Sequence, residues 1–144
     1  MIQVLRFNFD NKTLIEKAFA VRLTVFVNEQ GVDPDLEIDG HDEEAMHYLL
    51  MEDESVLGTA RWRETKKGIK LERFAVLQGH RNRGLGAILL MEVMSDTKGM
   101  HHRIYLHAQA DAVRFYERHG FRVEGDAFLE AGLEHRYMIF GPAK

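Results

Sequence analysis

Residues 71–97 restrict this chain more than any other stretch. The apolar run Leu71-Glu72-Arg73-Phe74-Ala75-Val76-Leu77 passes through Gln78-Gly79-His80-Arg81-Asn82-Arg83-Gly84-Leu85-Gly86-Ala87 and leads straight into a segment with Leu85, Ile88, Leu89, Glu92 and Val93 near one helical face. A strand that turns through glycines into a helix is a ready anion site. Gly84 and Gly86 let the backbone approach a phosphate, the first amides of the helix lack partners, and the helix dipole favours negative charge there. Arg81 and Arg83 add forked guanidinium donors that suit phosphate oxygens. Two glycines can also simply make a tight turn. The spacing is that of neither the P-loop, since no Gly-Lys-Ser/Thr follows, nor the dinucleotide fingerprint, which has a third glycine.

The rest of the chain reads as short alternating elements. Residues 2–7 alternate with period two and predict a strand. Asp10 or Asn11 can cap a helix in which Leu14, Ile15, Ala18, Phe19, Arg22, Val25 and Phe26 share an inward face as far as about residue 27. Residues 33–44 hold seven acidic side chains, no Lys or Arg, and the breakers Pro34 and Gly40, so they predict a loop. Residues 45–52, 56–64 and 69–77 predict an antiparallel meander. A strand over 103–108, a helix from 110 or 111 to 118 stopped by Gly120, and strands over 121–124 and 133–140 around the turn at 130–132 complete the chain. Together these elements make an α+β (mixed α/β) domain with one central, mostly antiparallel mixed sheet flanked by helices. At 144 residues and 45% hydrophobic composition, one domain over 1–144 is expected.

Composition narrows the function. Cysteine is absent, which excludes disulfides, thiolate metal sites and a covalent intermediate on a protein thiol. A formal charge of −4 disfavours a general nucleic-acid binder. With no run of roughly 20 apolar residues and no signal-peptide pattern at the start, a cytoplasmic location without membrane contact is expected.

A second motif, Ala112-x-x-Phe115-Tyr116-x-x-x-Gly120-Phe121, follows the strand at 103–108. With Arg81-x-x-Gly84-x-Gly86 it resembles the paired motifs A and B of the GNAT superfamily of N-acetyltransferases. The similarity extends to the ElaA-like branch through Arg22-x-x-Val25-Phe26-Val27-x-Glu29-Gln30, Glu37-x-Asp39-x-x-Asp42-x-x-Ala45-x-His47, Ala108-Gln109 and Phe128-x-Glu130-x-Gly132-Leu133-x-His135-x-x-Met138, nearly the whole length. Gln109 stands where the wider superfamily more often has Asn, and its amide offers the same donor and acceptor on a longer stem.

The resemblance implies acetyl-coenzyme A (acetyl-CoA) as cofactor and an amine, small-molecule or peptide, as acceptor. Its pantetheine arm would lie in a gap between splayed strands, against Phe74, Ala75 and Val76, with Gln109 and Phe115 alongside. Its pyrophosphate would meet Arg81 and the amides of Arg83, Gly84, Leu85, Gly86 and Ala87. An amide near Val76 would polarise the thioester carbonyl, and Tyr116 would protonate the departing thiolate, the alternative being a tyrosine packed at the core edge with Phe115 and Phe121. Glu72, alternating with Phe74 and Val76 on the cleft strand, is the first candidate for general base, with a pKa raised by burial; otherwise it is a carboxylate paired with a lysine such as Lys70. His107, Glu29 and His135 stand in reserve as bases. For the acceptor, Glu29, Asp39, Asp42, His47, His107 and His135 are the candidate contacts, and the acidic loop is either a collar that attracts a cationic amine or a solvated face.

Three other readings remain. Metal binding through His41 with Asp39 and Asp42, or through His101-His102, lacks a recognised ligand spacing. A nucleic-acid module using Arg81 and Arg83 runs against the acidic balance, and a non-catalytic acyl-CoA binder could use the same fold. The sequence leaves the oligomeric state open, a homodimer included. No serine stands in a nucleophile motif, so direct transfer in a ternary complex is expected.

Overall fold

The structure, a computed structural model, describes residues 1–100 and 103–141. Among these residues the strands form one mixed, mostly antiparallel sheet flanked by helices, as the alternating pattern predicts, with eight strands where the pattern gives seven. Strands β1 (Ile2–Asn8), β2 (Met46–Glu52), β3 (Ser55–Thr65) and β4 (Gly68–Val76) form an antiparallel meander, and β5 (Ile104–Gln109) lies parallel to β4. The strand β8 (Leu133–Phe140) is antiparallel to β5 and carries two short strands on its other edge, β6 (Phe121–Val123) and β7 (Phe128–Glu130). The turn at 130–132 therefore joins β7 to β8. β7, three residues long, is a strand that the sequence pattern does not reveal.

Helix α1 (Lys12–Arg22) is capped by Asn11, whose Oδ1 accepts from the Leu14 amide at 3.1 Å. Ile15, Ala18, Val21 and Arg22 are its buried face. The helix then loosens into a π-helical segment, Leu23–Glu29, which buries Val25 and Phe26 and alters the direction in which Glu29 and Gln30 leave it. On the opposite face of the sheet α3 (Leu85–Thr97) buries Leu85, Leu89, Leu90 and Val93, while Glu92, expected on that face, is exposed. The main core lies between α3 and the sheet, joined by Tyr116 from the short α4 (Val113–Glu117). Gly68 has to be glycine: a Cβ there would lie 2.4 Å from the Arg103 carbonyl, where β4 starts beside the chain entering β5.

Two features open the sheet at its middle. Pairing of β4 with β5 covers only Ile69↔Ile104, Lys70↔Tyr105 and Leu71↔Leu106. One step further along, the β3–β4 register slips by a residue and Arg73 takes a left-handed backbone with φ 58°. A non-glycine residue at positive φ in a strand is a bulge that bends its strand, and here it coincides with the parting of β4 from β5. The resulting gap holds the cleft. Among the described residues no helix is long and apolar enough to cross a membrane.

Candidate active site

The cleft has a volume of about 440 Å³ and lies on the α1 face of the sheet, over the ends of β4 and β5 and against β7 and β8. Seven of the residues singled out from the sequence line it: Glu72, Phe74, Gln109, Tyr116, Asp39, His107 and His135. Phe74 meets the Tyr116 ring edge-on at 6.3 Å, and Tyr116 also packs against Phe115 and Phe121 at 5.1 and 5.8 Å. Burial pushes the Tyr116 phenol above its ordinary range, so it carries its proton at neutral pH. Its hydroxyl makes no hydrogen bond among the described residues. A protonated, uncommitted hydroxyl facing a cleft can give a proton to a group that enters.

Beyond the open end of β4 lies the glycine turn. Gly84 adopts φ 77° at the start of α3, and no side chain caps the helix there. The first-turn amides of Leu85, Gly86 and Ala87 are therefore left without a capping acceptor. A Cβ on Gly84 would meet nothing within 4 Å, and one on Gly86 would come only within 3.6 Å of the Phe115 ring. This backbone is open to a phosphate. Arg81 donates from Nε to the Val76 carbonyl at 2.9 Å and forms a two-pronged ion pair with Glu29 at 2.6 and 2.8 Å. Arg83 pairs with Glu52 at 2.8 Å. Both ion pairs are partly exposed, and such pairs contribute only about 0–1 kcal/mol. A doubly charged pyrophosphate could displace either carboxylate. Glu29, expected at the acceptor, is thus paired with Arg81 beside the glycine turn and does not line the cleft. Ala75 and Val76 face opposite cores, Ala75 with Val21, Val25 and Phe26 and Val76 with the α3 cluster. The structure thus offers the open backbone and cationic side chains that an acyl-CoA needs.

The acidic loop differs most from its sequence reading. Residues 33–44 contain the four-residue α2 (Pro34–Glu37) and a single tight turn at Asp42–Glu44, and the loop turns three carboxylates inward. Arg22, 2% exposed, is held by Glu37 through a short Nε contact and by Asp42 at 2.7 Å. Arg61, 1% exposed, donates to Asp39 at 2.6 Å, to Asp42 at 2.7 Å and to Glu72 at 3.0 Å. Arg73 Nη2 reaches Asp39 at 3.2 Å, while its Nε lies 2.8 Å from Glu37 but out of line for a hydrogen bond. Glu37, Asp39 and Asp42 are therefore committed to arginines and form no collar for a cationic amine. Asp42 and His47, expected at the acceptor, are buried away from the cleft. His47 Nε2 donates to the Asp42 carbonyl at 2.9 Å and its ring stacks on Phe7 at 5.7 Å. Burial lowers the His47 pKa, with Arg22 and Arg61 acting the same way.

Glu72 is also corrected. Burial alone would raise its carboxyl, but Arg61, Arg63 and Lys70 together hold it down, from an ordinary 4.5 to about 2. The lysine pairing weighed from the sequence is present at 3.1 Å, in a buried setting. A carboxylate that acidic is a weak base. A lowered folded-state pKa means that its stabilisation is complete above pH 4.5 and disappears as the pH falls through about 2. The difference amounts to about 3 kcal/mol. Of this, about 2 kcal/mol is lost between pH 7 and pH 3, so Glu72→Gln is expected to shrink the difference between urea stability at those two pH values by about that amount; an unchanged difference would refute the assignment.

Two groups absent from the sequence reading as individual candidates stand in the cleft. Gln30 accepts from Gln109 Nε2 at 2.8 Å, tying the end of the π-helical segment to the end of β5. Glu130 on β7 lies 2.9 Å from His107 and 3.7 Å from His135. The motif Phe128-x-Glu130-x-Gly132 contained Glu130, but nothing local tied it to His107. Among the described residues no three His, Asp or Glu side chains converge as metal ligands do. The pair His101-His102 lies outside the described residues.

Comparison with known proteins matches residues 15–140 to the family model described as an Acetyltransferase (GNAT) domain. A Bacillus subtilis protein described as the uncharacterized N-acetyltransferase YjcF is 38% identical over 131 residues, covering 90% of this chain and 94% of that one. The crystal structure of Escherichia coli ElaA superposes with a TM-score of 0.85 at 24% identity, covering 97% and 99% of the two chains. An acyl-CoA N-acyltransferase from Pseudomonas aeruginosa also gives a TM-score of 0.85 at 24% identity, over 98% and 100%.

Proposed function

The chain belongs to the GNAT acetyltransferase family, and from that premise we propose that it transfers an acetyl group from acetyl-CoA to an amine, directly and within a ternary complex. The observation that carries this reading is that three things adjoin at the open end of β4: strands β4 and β5 parting after Leu71↔Leu106, the protonated Tyr116 hydroxyl lining the cleft between them, and the uncapped glycine turn into α3 beyond it. When bound, acetyl-CoA supplies an activated acetyl group and a thiol leaving group. The amides of Leu85, Gly86 and Ala87, with Arg81 and Arg83, would hold its pyrophosphate. Phe74, Ala75, Val76, Gln109 and Phe115 would border the pantetheine arm, the amides near Val76 polarising the carbonyl. The Tyr116 hydroxyl would give its proton to the departing sulfur.

A thiol leaving group with a pKa of about 8.5 departs without absolute need of an acid. Tyr116→Phe is therefore expected to lower kcat about 10–100-fold, up to the lower edge of the roughly 10²- to 10⁴-fold range for general acid catalysis, while leaving acetyl-CoA affinity nearly unchanged. Stopped assays of free thiol check this, and an unaltered kcat would reduce Tyr116 to a packing residue. With cysteine absent, no acyl-enzyme on a protein thiol is available. Initial rates measured with acetyl-CoA and amine both varied should give intersecting reciprocal plots; parallel lines would overturn direct transfer.

The acceptor would enter over β7 and β8, where Asp39, His107 and His135 border the cleft. Since Arg22, Arg61 and Arg73 already pair with the three inward carboxylates of the acidic loop, those carboxylates are not available to gather a polycation in the cleft. One observation favours a non-catalytic acyl-CoA binder, namely that Glu72, the carboxylate best placed on β4, is held too acidic to serve as base.

A further inference from the structure

Resting on the acetyl-transfer reading, we infer that His107, oriented by Glu130, is the base that takes the proton from the acceptor nitrogen. His107 projects from β5 into the cleft on the face it shares with Glu72 and Gln109. Its Nδ1 lies 2.9 Å from Glu130 Oε1. An ionised carboxylate can only accept, so Nδ1 carries the hydrogen and the neutral ring keeps its lone pair on Nε2. That nitrogen makes no hydrogen bond among the described residues. Aromatic rings fix the imidazole plane, with Phe128 edge-on at 5.1 Å and Tyr137 tilted at 5.9 Å.

Glu130 is placed to hold the charge that proton transfer creates. It comes from β7, which pairs with β8, and its lowered pKa reflects first the hydrogen bond from His107. His135 is the second imidazole on this carboxylate, with Nε2 3.7 Å from Glu130 Oε2, but its Nδ1 is spent on the Leu133 carbonyl at 2.8 Å. Buried to 6% exposure, it is the less accessible of the two. The other titratable or charged groups facing His107 are Tyr105 on its own strand, Tyr137 on β8, Lys70 and Glu72 on β4, and Tyr116 on α4. Arg63, Arg73, Asp39, His41 and Asp111 border the cleft around them. Glu72 is saturated by its cations, whereas the Glu130 carboxylate, half in solvent, orients one imidazole toward the space where an amine would stand. A carboxylate that holds a histidine in its basic tautomer and steadies the imidazolium is the arrangement that makes histidine a general base in hydrolases.

The proton balance closes with groups in hand. As the new N–C bond forms and the C–S bond breaks, a proton passes from the nitrogen to His107 Nε2 while the departing sulfur takes the Tyr116 hydroxyl proton. The imidazolium proton then returns through water to the phenolate.

Two measurements test this in the full-length protein. Long-range ¹H–¹⁵N correlation of the histidine rings near pH 7.5, which needs no acceptor, should show the Nδ1–H tautomer for His107 and its loss in Glu130→Gln; an Nε2–H ring in the parent protein overturns the inference. In kinetics, with whichever primary amine of a panel turns over, His107→Gln should lose roughly 10²- to 10⁴-fold in kcat/KM and abolish its acid limb, while acetyl-CoA still binds. Glu130→Gln should keep only part of the activity, because the ring loses the carboxylate that fixes its tautomer and orientation. His107→Gln with unchanged rate and pH profile overturns the inference and leaves acetyl transfer standing. Failure of the parent protein to bind acetyl-CoA overturns acetyl transfer instead, and the tautomer result then still decides the pairing.

Discussion

Arg61→Met is expected to destabilise the fold by about 3–5 kcal/mol, the range for breaking a buried ion pair by removing one partner. Arg61 is the hub at which the loop carboxylates Asp39 and Asp42 meet Glu72 on β4. Methionine fills most of the volume but supplies no charge, and three carboxylates lose their shared cation. Arg22, Arg73, Arg63 and Lys70 still hold them individually, which keeps the loss below that of three bare buried charges. Against a total stability of about 5–15 kcal/mol for a domain, the loss is large. Arg61→Lys should recover little, since an ammonium cannot fork between carboxylates as a guanidinium does. Urea unfolding at pH 7 measures the effect. Asp39 and Glu72 are both held well below their usual range in the parent protein, whereas without Arg61 they would protonate at a higher pH and so relieve the uncompensated buried charge. The gap between Arg61→Met and the parent protein should therefore narrow toward pH 3. A gap independent of pH would mean that Arg61 stabilises by packing alone.

Gly84→Glu is expected to weaken acetyl-CoA binding at least about 100-fold, a change of about 2.7 kcal/mol. Gly84 has φ 77°, and a residue with a side chain costs about 1–2 kcal/mol there. The added Cβ points into open space, so the fold should tolerate it. The new carboxylate would stand where the pyrophosphate approaches the α3 amides, repelling it and offering Arg81 and Arg83 a resident partner. Calorimetric titration with acetyl-CoA, beside circular dichroism to establish folding, reads the outcome. A folded Gly84→Glu protein that binds like its parent would remove the pyrophosphate from this turn.

The segments whose meaning is local were legible in the sequence. Residues 71–97 carry their strand, glycine turn and helix within one stretch, and Phe115-Tyr116 with Gly120-Phe121 marks the helix and strand beside the cleft. What escaped was set by pairing between distant elements. The carboxylates of residues 33–44 read as a solvated or attracting surface because their arginine partners come from α1, β3 and β4, from 15 to 34 positions away in the hydrogen-bonded pairs. Glu72 looked like a carboxylate that burial would make basic, since strand alternation gives its face but not the three cations that share it. No sequence signal marks Arg73 as left-handed, because that conformation is imposed by the slip between β3 and β4. The His107–Glu130 contact spans 23 positions and depends on β7, which is too short to show a period. Helix α1 continued as predicted only to Arg22, beyond which its wider turns direct Glu29 to Arg81 and Gln30 to Gln109.

The decisive measurement is made by incubating the purified protein with acetyl-CoA and a panel of primary amines, following free thiol and the mass of each amine together. Thiol release that requires an amine, matched one for one by an acetylated product, is the expected result. Tight binding of acetyl-CoA with no amine-dependent thiol release across the panel would make the protein an acyl-CoA binder without turnover, and acetyl transfer would have to be abandoned.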